Sequence, residues 1–435
     1  MKWLANCLYL MLLCLLFPWL VYRSIRTGRY REGWSQKLLG RVQPCSPEHP
    51  VLWLHAVSVG EVLQLPGIVE RWQAKHADWK IVVTTTTTTG FKVALEKFPD
   101  CTVEYCPLDF SWAVENAIQR FRPRLMGLVE LELWPNLITC LHQHQVPVVI
   151  INGRLSAKSH RGYKKLKPLI KWLLQRLTYI TVQNQDYADR FLDLGADPSR
   201  LTVTGSIKYD GVPERPESSA TSQMQQELGL EVEDLLFLAG STHEPEEQIA
   251  IEAWKALHQE FPQLKLAIAP RHAERFEEIA EQLNAQGIVP LRRSQPASTG
   301  TESSGVILLD TLGELKLAWS MARIAFVGGS FTKRGGQNMI EPAAYGIPVM
   351  VGPGTRNFAE TVRLLKQADG ILELSTPEEM VPQLRTLLTN LQQAEEMGAR
   401  AKAFVDSQRG ATDRVVELMS QAIAGDAKNE SRQFA

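Results

Sequence analysis

Residues 324–346 read IAFVGGSFTKRGGQNMIEPAAYG, and the order of residue types in them decides the fold class. Apolar residues run into a glycine pair, a polar loop with a second glycine pair follows, and an Ala-rich segment begins at Met339-Ile340-Glu341. Glycine inside a helix costs ~1 kcal/mol per residue relative to alanine, so the block is strand, loop, then helix. Pro342 falls in the first helical turn, where its missing N–H is harmless. At a strand end, a Gly-rich loop beside a helix start presents bare backbone N–H groups, which is the chemistry of an anion site.

The same unit recurs on both sides of this block. Upstream, VLWLHAV (51–57), KIVVTTTTTTG (80–90), TVEYCP (102–107), LMGLVE (125–130), VPVVIIN (146–152), YITVQN (179–184) and LTVTGS (201–206) read as strands. Helical patterns such as 60–76 and 136–145 lie between them. After GVPERPESSATSQ (211–223), a Pro- and Ser-rich linker, strands restart at 234–242, 264–270, 306–310, 323–329, 347–353 and 370–374, and helical patterns close the chain over 377–424. Strand–helix alternation predicts parallel sheets covered on both faces. The expectation is two Rossmann-like α/β domains, 42–210 and 224–424, facing each other across a cleft, with a disordered tail at 425–435. Ligands of such sheets bind at the carboxyl ends of the strands.

A chain of 435 residues carries two cores comfortably, and a net charge of -1 offers no field for nucleic acid. The six cysteines show no CxxC spacing, as expected of small buried residues in a reducing compartment. Trp3 to Tyr22 holds no charge. About 20 apolar residues span a bilayer, so 1–22 is expected to be a single-pass membrane anchor. The segment 23–41 adds Arg23, Arg26, Arg29, Arg31, Lys37 and Arg41 against Glu32. That flank predicts a cytoplasmic location for everything after it. A helix lying in the interface, partly buried against the protein itself, also fits this composition.

The chemistry-bearing residues all follow predicted strands. Glu61, in LWLHAVSVGEV, opens a helix behind Gly60 and suits either a helix-dipole partner or a general base. Glu130 and Glu132 lie two apart in VELELWPN. The Thr-rich turn after 82 suits a hydroxyl-capped strand end better than an anion nest. Arg154, Lys158, Arg161 and Lys164 begin a basic, apolar-interleaved segment, either a solvated face or a site for an anionic amphiphile. Lys208 follows a strand in GSIKYD. In the second half, Arg271 suits a phosphate and Glu341 a ribose diol. No GxxxxGK[ST], HExxH, GxGxxG or DxD occurs, which argues against P-loop, metalloprotease, NAD and metal-dependent sugar-nucleotide chemistry.

Taken together, YREGW, HAVSVGE, the TTG turn, ELWPN, RLSAKS, GSIKYD, STHE, PRHAERF, DTLGEL and FVGGSFTKRGGQNMIEPAA resemble the motifs of the 3-deoxy-D-manno-octulosonic acid (Kdo) transferases, up to about residue 420. That resemblance implies a GT-B glycosyltransferase of the inner membrane, with CMP-Kdo as donor and a lipid A precursor as acceptor. It further implies inversion, no metal and no cofactor. By motif, Glu61 matches the catalytic base, and Glu130 and Lys208 match residues that support the transition state. Pro270, Arg271, Leu312, Gly313, Glu314, Asn338, Met339, Ile340 and Glu341 match CMP-contacting segments. This chain departs from the family pattern at Gln337, where His is usual, at Leu131, where Thr is usual, and in a Thr turn without proline.

Overall fold

The computed structural model of the protein describes residues 2–27, 32–212, 215–216, 218–295 and 305–433. Arg29 and Arg31 of the basic segment, 213, 214 and 217 of the linker, and 434–435 of the tail lie outside the described residues. The chain forms two compact units, Met1–Gly211 with Arg409–Ala435, and Val212–Gln408. None of the six cysteines is in a disulfide.

The first unit is built on Val51–His55 (β1), Lys80–Thr85 (β2), Thr102–Tyr105 (β3), Pro123–Val129 (β4), Val148–Gly153 (β5), Tyr179–Val182 (β6) and Leu201–Val203 (β7). They pair in parallel in the order β3-β2-β1-β4-β5-β6-β7. Every residue of β1 is buried, because a parallel sheet is covered on both faces. Its alternate side chains feed separate cores. Val51 and Trp53 join Phe121 and Met126, whereas Leu52 and Leu54 join Trp72, Val415 and Met419. The helical pattern expected over 60–76 is broken into Val59–Val62 and Pro66–Lys75. Pro66 starts the second piece, where proline is favoured.

Helix Ala411–Gln433 corrects the domain division expected from the sequence. It belongs to the first unit, not to a domain running to 424. Val415, Val416 and Met419 are fully buried there, and burying each such side chain is worth roughly 1.5–3 kcal/mol. Asp210 holds the start of this helix, accepting from the N–H of Gly410 at 2.6 Å and of Thr412 at 2.5 Å. The helix continues to Gln433, where a disordered tail was expected from 425. The expected linker likewise contains the start of a helix, Ser218–Glu227.

The amino-terminal helix Lys2–Thr27 also differs from expectation. Among the described residues, no helix is long and apolar enough to cross a membrane, so a single-pass anchor is not supported. One face of this helix is tied to the first unit by polar groups. Asn6 donates to Ser111 Oγ at 2.8 Å and accepts from Ser111 N–H at 3.0 Å. Tyr9 Oη donates to Asp109 at 3.0 Å.

The second unit contains Leu235–Thr242 (β8), Leu264–Pro270 (β9), Leu291–Arg292 (β10), Val306–Leu308 (β11), Ile324–Val327 (β12), Val349–Val351 (β13) and Ile371–Glu373 (β14). Their parallel order is β10-β11-β9-β8-β12-β13-β14. Phe237, Leu266, Phe326 and Met350 fill its core. The edge strand β10 has two residues, too few for an alternating pattern to announce it.

Candidate active site

In the first unit, the predicted residues gather at the carboxyl edge of the sheet. Glu61 sits in the short helix after β1. Its Oε2 accepts from Val57 N–H and its Oε1 from Ser58 Oγ, both at 2.8 Å. Burial pushes the Glu61 carboxyl up to about 7; those two hydrogen bonds oppose the shift, and Glu130 and Glu132 add to it. A Cβ at Gly60 would meet only Ser58 Oγ, at 3.9 Å, so packing does not demand glycine and backbone lies open beside Glu61.

Glu130 follows β4 in a left-handed conformation, φ 60, held by its N–H donating to Ile151 O at 2.8 Å. Glu132 accepts from Trp134 Nε1, and burial raises its pKa. Lys208 is half-buried, which lowers its pKa; Glu130 and Glu61 are near enough to oppose that, and Arg154 reinforces it. Two of the three catalytic candidates are thus carboxylates facing a desolvated lysine.

Beneath them, the hydroxyls of Thr85, Thr86 and Thr87 all turn to the Val57 carbonyl, at 3.1, 3.2 and 3.5 Å. The Thr-rich turn braces the Glu61 loop and leaves no hydroxyl nest. His55 is fully buried with Nδ1 3.1 Å from both Thr84 O and Thr84 Oγ1. Burial pulls its pKa down to about 4, so the ring is neutral at pH 7.

The basic segment divides. Arg154 lies beside Lys208, and Lys158 and Arg161 are exposed on helix Ala157–Lys164. Lys164, in contrast, pairs with Asp193 at 2.9 Å, together with His160 and Lys167. Its charge is already matched within the protein, which the run of like charges in sequence does not reveal.

In the second unit, the glycine loop departs from expectation. Its amides are not bare. The buried carboxylate of Glu246 accepts from Gly329 at 2.6 Å, Ser330 and Phe331 at 2.8 Å and His243 at 2.9 Å. The predicted anion nest exists, but the protein's own carboxylate fills it. Gly328 is glycine for space: a Cβ would lie 2.6 Å from Ser241 O and 2.8 Å from Glu246 Oε2. Helix Ile340–Ala344 is only five residues long, and Asn338 Oδ1 already accepts its first amide, Ile340 N–H, at 3.1 Å.

Positive charge surrounds this loop instead. His243 is held down to about 4 by burial and by His272, Arg334, Arg271 and Arg275. Its neutral ring takes a hydrogen bond from Gln337 Nε2 at 3.2 Å, so the amide replacing the family's usual histidine is engaged. Pro270 ends β9, and Arg271 is anchored through its N–H to Thr242 O at 3.1 Å with its side chain exposed. Glu341 is half-buried, which raises its pKa against the pull of Lys316, Asn338 and Arg271.

The remaining motif positions do not all offer side chains. Met339 and Ile340 are buried apolar residues, leaving only their backbone for a ligand. Glu314 is bound through both oxygens by Arg293. Leu312 is 73% exposed beside Gly313, whose φ of 89 requires glycine. Motif matching assigns no role to Gln64, Asn152, His243 and Glu246. His243 stands within STHE, and the Asn-Gly pair at 152–153 and the acidic pair 246–247 are further local signals.

Among the described residues, no three His, Cys, Asp or Glu side chains cluster as metal ligands. A cavity of about 850 Å³ in the first unit is lined by His76, Trp79, Arg122, Arg124, His144 and Ser420 among others. It opens at the amino ends of the strands, away from these residues.

A family model described as 3-deoxy-D-manno-octulosonic-acid transferase (kdotransferase) matches residues 31–211. The 3-deoxy-D-manno-octulosonic acid transferase of Haemophilus influenzae is 32% identical over 423 residues, covering 94% of this chain and 96% of that protein. The protein of the same name from Bordetella pertussis is 31% identical over 418 residues, covering 93% and 95%. Among solved structures, UDP-GlcNAc 2-epimerase from Neisseria meningitidis superposes with a TM-score of 0.57 over 86% of this chain and 100% of that one. At 14% identity, that likeness is one of fold alone.

Proposed function

The chain belongs to the 3-deoxy-D-manno-octulosonic acid transferase family, and on that premise we propose that it transfers Kdo from CMP-Kdo to a lipid A precursor of the lipid IVA type, with inversion and without a metal ion. The observation that carries the mechanism is Glu61, a carboxyl pushed up to about 7 beside open backbone at Gly60. A base whose pKa lies near the working pH is best matched to proton transfer. Glu61 takes the proton of an acceptor hydroxyl as that oxygen bonds to the anomeric carbon of Kdo. The bond from that carbon to the phosphate oxygen breaks, and CMP leaves with the electron pair. One displacement inverts the centre.

Lys208 and Arg154 supply positive charge for the sugar carboxylate or the departing phosphate, and Glu130 holds Lys208 in place. Charge fixed in advance where charge develops is the most effective electrostatic contribution. In the second unit, Arg271 takes the phosphate and Glu341 the ribose hydroxyls. The exposed Lys158 and Arg161 meet the phosphates of the acceptor.

The amino-terminal helix is read as lying in the plane of the inner membrane at its cytoplasmic face. Met11, Leu15, Trp19 and Tyr22 are exposed and recur at helical spacing along one stripe, opposite Asn6 and Tyr9. The guanidinium of Arg23 lies 4.9 Å from the Trp19 ring, an aromatic–cationic end suited to headgroups.

The test is transfer from CMP-Kdo, generated in situ, to a tetra-acylated lipid A precursor by wild type and Glu61→Gln, with and without EDTA. Wild-type transfer that survives EDTA and is lost in a folded, CMP-binding Glu61→Gln supports the reading. Full activity of Glu61→Gln would remove the base, and inhibition by EDTA would remove metal independence. Protection by UDP rather than CMP would reassign the donor.

A further inference from the structure

Glu61, Glu130 and Lys208 follow three separate strands, β1, β4 and β7, and two neutral side chains connect the segments that carry them. Gln64 lies one turn after Glu61. Its Nε2 donates to Gly60 O at 3.1 Å and to Glu130 Oε1 at 3.2 Å. Its Oε1 accepts from Asn152 Nδ2 at 2.6 Å, across 88 residues of sequence. Asn152 is fully buried. Its Oδ1 accepts from Ile207 N–H, next to Lys208, at 3.3 Å, and its carbonyl accepts from Gln183 Nε2 at 3.0 Å.

The polarity of the chain is determined. Turning the Gln64 amide over would set oxygen against Gly60 O and Glu130 Oε1. Turning Asn152 would set its NH₂ against Ile207 N–H. Asn152 and Glu130 both adopt left-handed backbone, φ 57 and 60, and β5 shifts register against β6 between Ile150 and Gly153. Such conformations persist where the surroundings over-determine them, and asparagine is among the few residues that enter this region readily.

We propose that Gln64 and Asn152 form a carboxamide relay that positions Glu130 and Lys208 against Glu61 for the transfer step. They are positioning residues, acting through the charged groups. The proposal rests on the roles given above to those three residues.

The experiment uses the full chain with CMP-Kdo generated in situ and the tetra-acylated acceptor. Gln64→Met keeps length and bulk but cannot hydrogen-bond. A misplacement of about 1 Å costs up to ~10²-fold, so kcat should fall ~10–100-fold while KM for both substrates and Tm stay near wild type. In a Glu130→Gln background the same change should cost far less, because the two residues act as one unit. Gln64→Glu gives a sharper readout. Its introduced carboxyl accepts from Asn152 in either form but donates to Gly60 O or Glu130 only when protonated. The ratio of its kcat to that of wild type should therefore rise as pH falls.

A folded Gln64→Met with kcat within about threefold of wild type, a pH-independent Gln64→Glu ratio, or simple additivity with Glu130→Gln would overturn the relay. Should Gln64→Met be insoluble, Asn152→Gly decides: it keeps the left-handed backbone while removing both side-chain bonds. Glu61→Gln runs in parallel. If Glu61→Gln is inactive while Gln64→Met is fully active, the relay alone fails. If Glu61→Gln is active, the assignment of the base fails.

Discussion

Replacing Glu246 with alanine should open the glycine loop of the second unit. The carboxylate is fully buried and accepts four backbone amides, from His243, Gly329, Ser330 and Phe331. Each buried donor left without a partner costs ~1–3 kcal/mol, so four would sum to ~4–12 kcal/mol if nothing moved. Two effects reduce this. Removing the carboxylate also removes its desolvation cost, and water can enter the space it leaves. Together they bring the expected loss to about 3 kcal/mol, below that range, and at ~1.4 kcal/mol per factor of ten this corresponds to roughly 10²-fold more frequent opening. Hydrogen–deuterium exchange of peptides spanning 324–338 reads this directly in the full chain. The amides of Gly329, Ser330 and Phe331 should exchange about 10²-fold faster, and CMP affinity should fall with them. Glu246→Gln, which keeps one acceptor oxygen, should fall between. Exchange within about threefold of wild type in Glu246→Ala would refute the claim that this carboxylate holds the loop.

The pH dependence of transfer should follow Glu61: kcat/KM should rise through about pH 7, where its carboxyl titrates, and Glu61→Gln should lack that limb. Stability carries the opposite sign. Between the ordinary value of 4.5 and about 7 the folded state holds this proton more tightly than the unfolded chain, so stability from this site is lost as pH rises through that window, and Glu61→Gln should be less sensitive to it in chemical denaturation. Met419→Ala, in the returning helix, should destabilise the first unit by ~2–5 kcal/mol, read as a lower urea midpoint. A change below about 1 kcal/mol would mean that the helix does not close that core. Leu15→Glu should shift the protein from membrane to soluble fractions without loss of CMP binding; unchanged sedimentation with membranes would reject the in-plane reading.

The strands were legible because buried parallel strands are short apolar runs such as VLWLH and IAFV, and the functional motifs because each follows such a run. Pro66 carried the signal for the helix break within 60–76, whereas β10, at two residues, carried none. Local pattern also determined that 411–424 is helical. It could not say which sheet that helix covers, since Val415 and Met419 would suit either core. The partners of charged residues were equally hidden. Lys164 looks free in a basic run until Asp193 is folded beside it, and Glu314 looks free until Arg293 arrives. The glycine pairs announced a nest for an anion, but its occupant, Glu246, lies more than 80 residues earlier in the chain. Sequence by itself thus determined the βα alternation and the strand ends that bear chemistry, because periodicity, glycine and proline act within a few residues. Only tertiary structure decided the roles of Gln64, Asn152 and Glu246, because a neutral amide or a buried carboxylate takes its meaning from the hydrogen-bond partners that distant segments bring to it.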